Sequence, residues 1–238
     1  MDRLVALPGT LCPPGVFDRL AAETADAVSV DAVSWLTEPG PWDVPSVAER
    51  VAARIGDEGP VLLAGHSTGG AIALQLTITR PDLVRGLLLM DTGAHMQGHG
   101  DVRAIIDRIA ADWGADLRAA VLDRSFHHGP DDQTRVQWLA WAAAVDRQAA
   151  LEVLTSQAAL DLRPGLGAID VPVELVHGVH DRARRVEDAR ELAAAIQGAE
   201  LTLLPVGHSP MYEAPAEVAA AVRRLTQRVR RRAVRAPR

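Results

Sequence analysis

Lysine is absent from this sequence: all 25 basic residues are arginine. That excludes every lysine-based mechanism, Schiff bases included. No chemistry requires the absence, and it reads as a compositional bias of the coding genome. Cysteine is almost as scarce. Cys12 stands alone, so no intramolecular disulfide can form and no thiolate cluster can hold a metal. Long apolar runs are missing too. None approaches the roughly 18 residues of a membrane span, and Met1-Asp2-Arg3 leads straight into an apolar stretch with no room for a signal peptide. A soluble, cytoplasmic protein with no membrane partner is expected. Basic charge is thin over most of the chain: residues 223–238 hold eight arginines and no acid, which leaves 17 arginines against 31 acids, or −14, elsewhere. Binding a phosphate backbone wants a basic face on the fold itself, so nucleic acid is not an expected partner.

What the chain does have is a pattern. Its 238 residues, 48% of them apolar, suffice for one large α/β domain and are short for two. That domain is organised around residues 62–70, where an apolar run ends abruptly at Gly65-His66-Ser67-Thr68-Gly69-Gly70. Residues 60–64 read as a buried strand and 71–79 as a helix closed by Arg80-Pro81. Ser67 therefore sits on a strand-to-helix turn. Gly65 and Gly69 stand where a turn too tight for Cβ atoms needs them, and they let a substrate approach the backbone.

Residues 3–7, 27–33, 84–90, 171–177 and 200–204 read as further strands, alternating with helices over 15–24, 45–55, 186–196 and 214–230. Such alternation predicts a mostly parallel sheet of about six strands, buried on both faces. It stops between residues 95 and 168, where 101–113, 116–126, 131–145 and 147–160 read as four helices. The expected organisation is a core of residues 1–94 and 169–226, an all-helical insertion over 95–168, and a basic end over 227–238 that frays into a disordered tail.

Serine at neutral pH is a weak nucleophile and needs a base within hydrogen-bond reach, itself oriented by a third group. In chain order the sequence offers Asp181, just past the strand 171–177, and His208, just past the strand 200–204. Loops that follow parallel strands lie along one edge. Ser67, Asp181 and His208 are thus all expected at the carboxyl edge, where open α/β sheets bind ligands. Asp170 and Asp188 are poorer candidates for the acid, one preceding the strand and the other lying in the next helix; Asp91, after the strand 84–90, is the fallback.

From Leu4 to about Leu225 the chain resembles the α/β-hydrolase superfamily. The motifs that carry the resemblance are Gly65-His66-Ser67-Thr68-Gly69-Gly70, His177-Gly178-Val179-His180-Asp181, Gly207-His208-Ser209-Pro210 and, more loosely, Leu7-Pro8-Gly9-Thr10. It implies an α/β-hydrolase fold with the insertion as a helical lid, Ser67 as nucleophile, His208 as general base and then acid, and Asp181 as the orienting carboxylate. It also implies an oxyanion hole built from the amides of Thr10 and Thr68. Pro8 stands where relatives commonly carry His, which makes Leu11 a rival to Thr10. The implied activity is cleavage of an ester, thioester or lactone of a small to medium hydrophobic substrate through an acyl-enzyme, with no metal and no organic cofactor. The same fold hosts triad enzymes that do not hydrolyse, such as lyases and cyclases, and ligand receptors; these are the alternatives.

Leu11 and Cys12 border the oxyanion loop and are candidates to line the pocket. So are Trp138 and Trp141, three apart on one insertion helix, which could equally be that helix's core stripe. His66 reads as packing beneath the elbow, and His177 and His180 as structural or surface residues. His127-His128 have no ligand spacing around them and are not expected to hold a metal.

Overall fold

Six strands form one sheet in the order β2-β1-β3-β4-β5-β6, with every neighbouring pair parallel. They are β1 Asp2–Leu7, β2 Val28–Ala32, β3 Val61–His66, β4 Val84–Met90, β5 Val173–Gly178 and β6 Glu200–Leu204. This is a computed structural model, which describes residues 1–97 and 102–235. The sheet has the strand number and direction that the sequence predicts. Its inner strands, β1, β3, β4 and β5, are mostly apolar because both faces are covered, while the edge strands β2 and β6 are partly exposed, and the pleat deals alternate residues to opposite layers. Leu4, Ala6, Leu62, Ala64, Leu88 and Met90 pack into one core, while Val5, Leu7, Leu63, Leu87 and Leu89 pack into the other.

Helices α1 Asp18–Thr24, α2 Val44–Ile55 and α3 Thr68–Thr79 fill the connections between the first strands. Between β4 and β5 come α4 Val102–Ala111, α5 Ala115–Arg124, α6 Asp132–Ala144, α7 Arg147–Ala159 and the short α8 Arg163–Leu166. The chain finishes with α9 Val186–Ala195, α10 Pro210–Glu213 and α11 Pro215–Arg235. α2 shows how sequence sets an element: the Asp43 side chain accepts from Ser46 N–H at 2.9 Å, Val47, Val51 and Ile55 recur on the buried face, and Gly56 at φ 56° ends the helix. α3 is apolar nearly all round and is buried accordingly.

The four insertion helices appear where the sequence predicts them; the first runs from Val102, and Asp101 lies outside the described residues. The two ends of the insertion are tied together. His95 and Asp161 form an antiparallel bridge, and Leu162 N–H donates to Ala94 O at 2.9 Å. A Cβ on Gly165 of α8 would meet Ile78 of α3 at 2.8 Å, so α8 packs with the core.

The basic end differs from the expected frayed tail. α11 continues to Arg235, and its arginines find acids on the sheet and in the segments that lead into β2 and β5. Arg228 and Arg224 pair with the fully buried Glu174 of β5 at 2.9 and 3.0 Å, Arg230 with Asp2 at 3.1 Å, Arg223 with Asp26 at 3.1 Å, and Arg232 with Asp170. Residues 236–238 lie outside the described residues. No helix among the described residues is long and apolar enough to cross a membrane.

Candidate active site

Among the described residues three that are not glycine adopt positive φ: Leu11 at 59°, Ser67 at 53° and Asp91 at 46°. Each stands just past the carboxyl end of a strand, β1, β3 or β4. Backbone strain of this kind collects where the surroundings must hold a functional geometry. Ser67, with ψ at −118°, is the residue before α3. A Cβ on Gly65 would lie 2.5 Å from Gly69 O, and one on Gly69 only 2.1 Å from Leu7 O. The two glycines therefore let α3 press against β3 and β1. The close approach they permit is of helix to strand, where the sequence suggested substrate to backbone.

His208 Nδ1 donates to Asp181 Oδ2 at 2.6 Å, with both side chains buried. Asp181 Oδ1 accepts from Ala183 N–H at 2.6 Å and Arg184 N–H at 2.9 Å, so the loop after β5 wraps the carboxylate. Burial alone would push this carboxyl up. The charge and hydrogen bond of His208 outweigh it and, with the side chain of Asp91 and the Arg184 amide, hold Asp181 well below the usual carboxylate range. An ionised carboxylate only accepts, so it keeps the imidazole proton on Nδ1 and leaves Nε2 unprotonated.

Asp91, the fallback acid, is not bonded to His208. Its Oδ1 accepts from Gly178 N–H at 3.0 Å. Burial, the charge of Asp181 and a hydrogen bond with that neighbour push its carboxyl well above the usual range. Two buried carboxyls this close cannot both ionise, and Asp91 is the neutral one. Together with His177 these form the one trio among the described residues whose metal-capable atoms lie within 4.8 Å of one another. His127 and His128 join no such trio; His127 stacks on His180 at 4.3 Å. Both ring nitrogens of His177 are buried without a hydrogen-bond partner, and burial holds its imidazole below the ordinary value.

His66 does more than pack beneath the elbow. Gly9 N–H donates to its Nδ1 at 3.2 Å, so the ring proton sits on Nε2, which donates to the carbonyl of His208 at 2.7 Å. Burial, then the neighbouring His208, bring its pKa down to about 3. One neutral ring thus joins the loop after β1 to the loop after β6. Nothing in the sequence signals this beyond adjacency to Ser67.

Gly9 O accepts from Cys12 N–H at 3.1 Å. That bond closes a turn whose central residues are Thr10 and Leu11, and such a turn uses neither of their N–H groups. Thr68 opens α3, where the leading N–H groups lack helical partners and carry the positive end of the dipole. The side chains of the two threonines touch: Thr10 Oγ1 donates to Thr68 Oγ1 at 2.9 Å, and Thr68 Oγ1 donates to Gln157 Oε1 at 2.9 Å.

A cavity of about 160 Å³ opens over this edge, lined from the core by Thr10, Leu11, Cys12, Ser67, Thr68 and His208. The insertion lines it with Ile105 and Ile109 of α4, Val121 of α5, and Leu154 and Gln157 of α7. Leu11 and Cys12 lie in the cavity wall; burial pushes the Cys12 thiol up to about 12, which makes it inert at neutral pH. Trp138 and Trp141 do not line the cavity. Trp138 packs against Tyr212 at 5.0 Å and Phe126 at 5.6 Å between ring centroids, and Trp141 packs onto the core that holds α2 and α3. A larger, open depression of about 530 Å³ lies at the amino edge of β5 around Asp170 and Arg228, and no serine, cysteine or histidine lines it.

The alpha/beta hydrolase family model matches residues 4–221. Over 241 aligned residues the chain is 30% identical to the pimeloyl-[acyl-carrier protein] methyl ester esterase of Stenotrophomonas maltophilia, covering 92% of this chain and 90% of that protein. A stretch of 73 residues, 30% of this chain and 28% of the other, is 37% identical to lipase LipV of Mycobacterium tuberculosis. An esterase from Exiguobacterium antarcticum superposes with a TM-score of 0.86 over 95% of this chain and 92% of that one, at 17% identity, a likeness of fold.

Proposed function

The chain belongs to the alpha/beta hydrolase family, and on that premise we propose that it is a serine hydrolase in which Ser67 forms an acyl-enzyme. The observation that carries this reading is the 2.6 Å contact of His208 with Asp181 beside a cavity that both His208 and the strained Ser67 line. Asp181 fixes the proton on His208 Nδ1, and Nε2 takes the Ser67 proton as the oxygen attacks the carbonyl carbon. The oxyanion meets the amides of Thr68 and of Thr10 in the loop after β1. His208 then returns the proton to the leaving oxygen and activates the water that clears the acyl group.

The substrate is an ester, thioester or lactone of a small hydrophobic acid. An ester is favoured, because the relative aligned over 92% of this chain is named a methyl ester esterase. The insertion acts as the lid and supplies the apolar wall through Ile105, Ile109, Val121 and Leu154. A cavity of about 160 Å³ lies below the roughly 300 Å³ at which pockets for larger ligands begin. Turnover of p-nitrophenyl esters should therefore be greatest for short acyl chains and fall steeply as the chain lengthens. No turnover of any member of the series, or a rise towards long chains, would overturn the reading.

A further inference from the structure

Three side chains hold α7 to the core. Glu152 Oε1 accepts from Trp42 N–H at 2.8 Å, Ser156 Oγ accepts from Val44 N–H at 3.0 Å, and Gln157 Oε1 accepts from the Thr68 hydroxyl at 2.9 Å. The first two fix the helix to the segment that opens α2. Gln157 reaches somewhere else: only 4% exposed, it meets the residue that follows Ser67. A buried amide is costly unless it is bonded, and this one is bonded at the catalytic edge.

The bond sets a direction. An amide oxygen can only accept, so Thr68 directs its hydroxyl proton to Gln157 and receives the one from Thr10. The chain Thr10, Thr68, Gln157 thereby ties the turn after β1, in which Leu11 is strained, to the first residue of α3. Those are the two places whose backbone N–H groups face a developing oxyanion in the reading above. Neither threonine hydroxyl is left to swing towards the acyl group, and the spacing of the two segments is fixed from the insertion side.

We propose that Gln157 is a positioning residue, holding the turn at residues 9–12 and the start of α3 at the separation an oxyanion requires, so that α7 is a fixed wall of the site and not a movable cover. Its catalytic consequence rests on the serine-hydrolase reading; its structural consequence does not. Gln157→Leu removes the acceptor. With p-nitrophenyl acetate its kcat should fall about tenfold or more while KM changes little, a fraction of the roughly 10² lost with an oxyanion donor itself. In a Thr68→Val background, where the chain is already cut, the same change should cost nothing further. Gln157→Glu keeps shape and acceptor but brings a charge beside the oxyanion, so its kcat relative to wild type should fall as pH rises; a packing role predicts a constant ratio.

Hydrogen exchange supplies a readout that needs no turnover: amides of residues 9–12 should exchange faster in Gln157→Leu while those of β3 and β4 stay as they are. If the leucine variant does not fold, Gln157→Asn, which withdraws the amide by one methylene, takes its place in both measurements. Unchanged exchange at residues 9–12, or an equal loss of kcat with and without the Thr68 hydroxyl, overturns the inference. A wild-type protein that turns over no ester overturns the serine-hydrolase reading instead, and the exchange result still decides the role of Gln157.

Discussion

Nε2 of His66 donates to the carbonyl oxygen of His208 at 2.7 Å while Nδ1 of the same ring accepts from Gly9, so His66 must stay neutral to make both bonds. Its pKa lies at about 3 against an ordinary 6.5. Between those values the unfolded chain binds a proton that the native state refuses. The contribution to stability is complete above about pH 6.5 and is lost as pH falls towards about 3. Urea midpoints should therefore decline on acidification in the wild type and decline less steeply in His66→Gln. Some slope will persist, because burial lowers His177 in the same direction. Parallel curves would contradict the assignment.

Asp181 and Asp91 should respond oppositely to the same isosteric change. Asp181→Asn removes the charge that fixes the His208 tautomer and should lower kcat by about 10⁴. Asp91 is the neutral carboxyl of the pair, so an amide there keeps a donor towards Asp181 and should leave kcat within a few-fold. Steady-state kinetics on the two variants decides. If Asp91→Asn is the more damaging, the roles are reversed.

Trp138 and Ile109 should separate stability from selectivity. Trp138→Ala empties the cluster with Phe126 and Tyr212 and should cost about 3–5 kcal/mol in unfolding without changing the order of preference among esters. Ile109→Ala widens the cavity wall and should shift that preference towards longer acyl chains. Thermal melts beside a chain-length series check both.

A strand buried on both faces is a continuous apolar run, so 84–90 could be placed to the residue; the edge strand 200–204 shows as a short apolar run despite its exposure, and strand ends then put Ser67, Asp181 and His208 on one edge. The size of Trp138 announced burial but not the partner, because periodicity specifies a face and not what covers it. α8 and α10 are four residues each, too short to show a period. The basic end reads as solvated because its acidic partners lie between 28 and 228 positions away. His66 and Gln157 owe their roles to bonds across the edge that no local pattern encodes.

The arginines of α11 give a further contrast. Arg224→Gln with Arg228→Gln strands the fully buried Glu174 and should cost about 3–5 kcal/mol. Glu174→Gln should cost less, since the two guanidiniums are partly exposed and can turn to water. Urea unfolding measures both; a disordered end would make the double arginine variant indistinguishable from wild type.

The covalent step is tested most directly by the intact mass of the protein after reaction with a fluorophosphonate. One adduct should form, map to Ser67, and be absent from Ser67→Ala, which should also have lost nearly all ester turnover while keeping its melting temperature. An adduct elsewhere, or a Ser67→Ala protein that still hydrolyses the ester, would contradict the account.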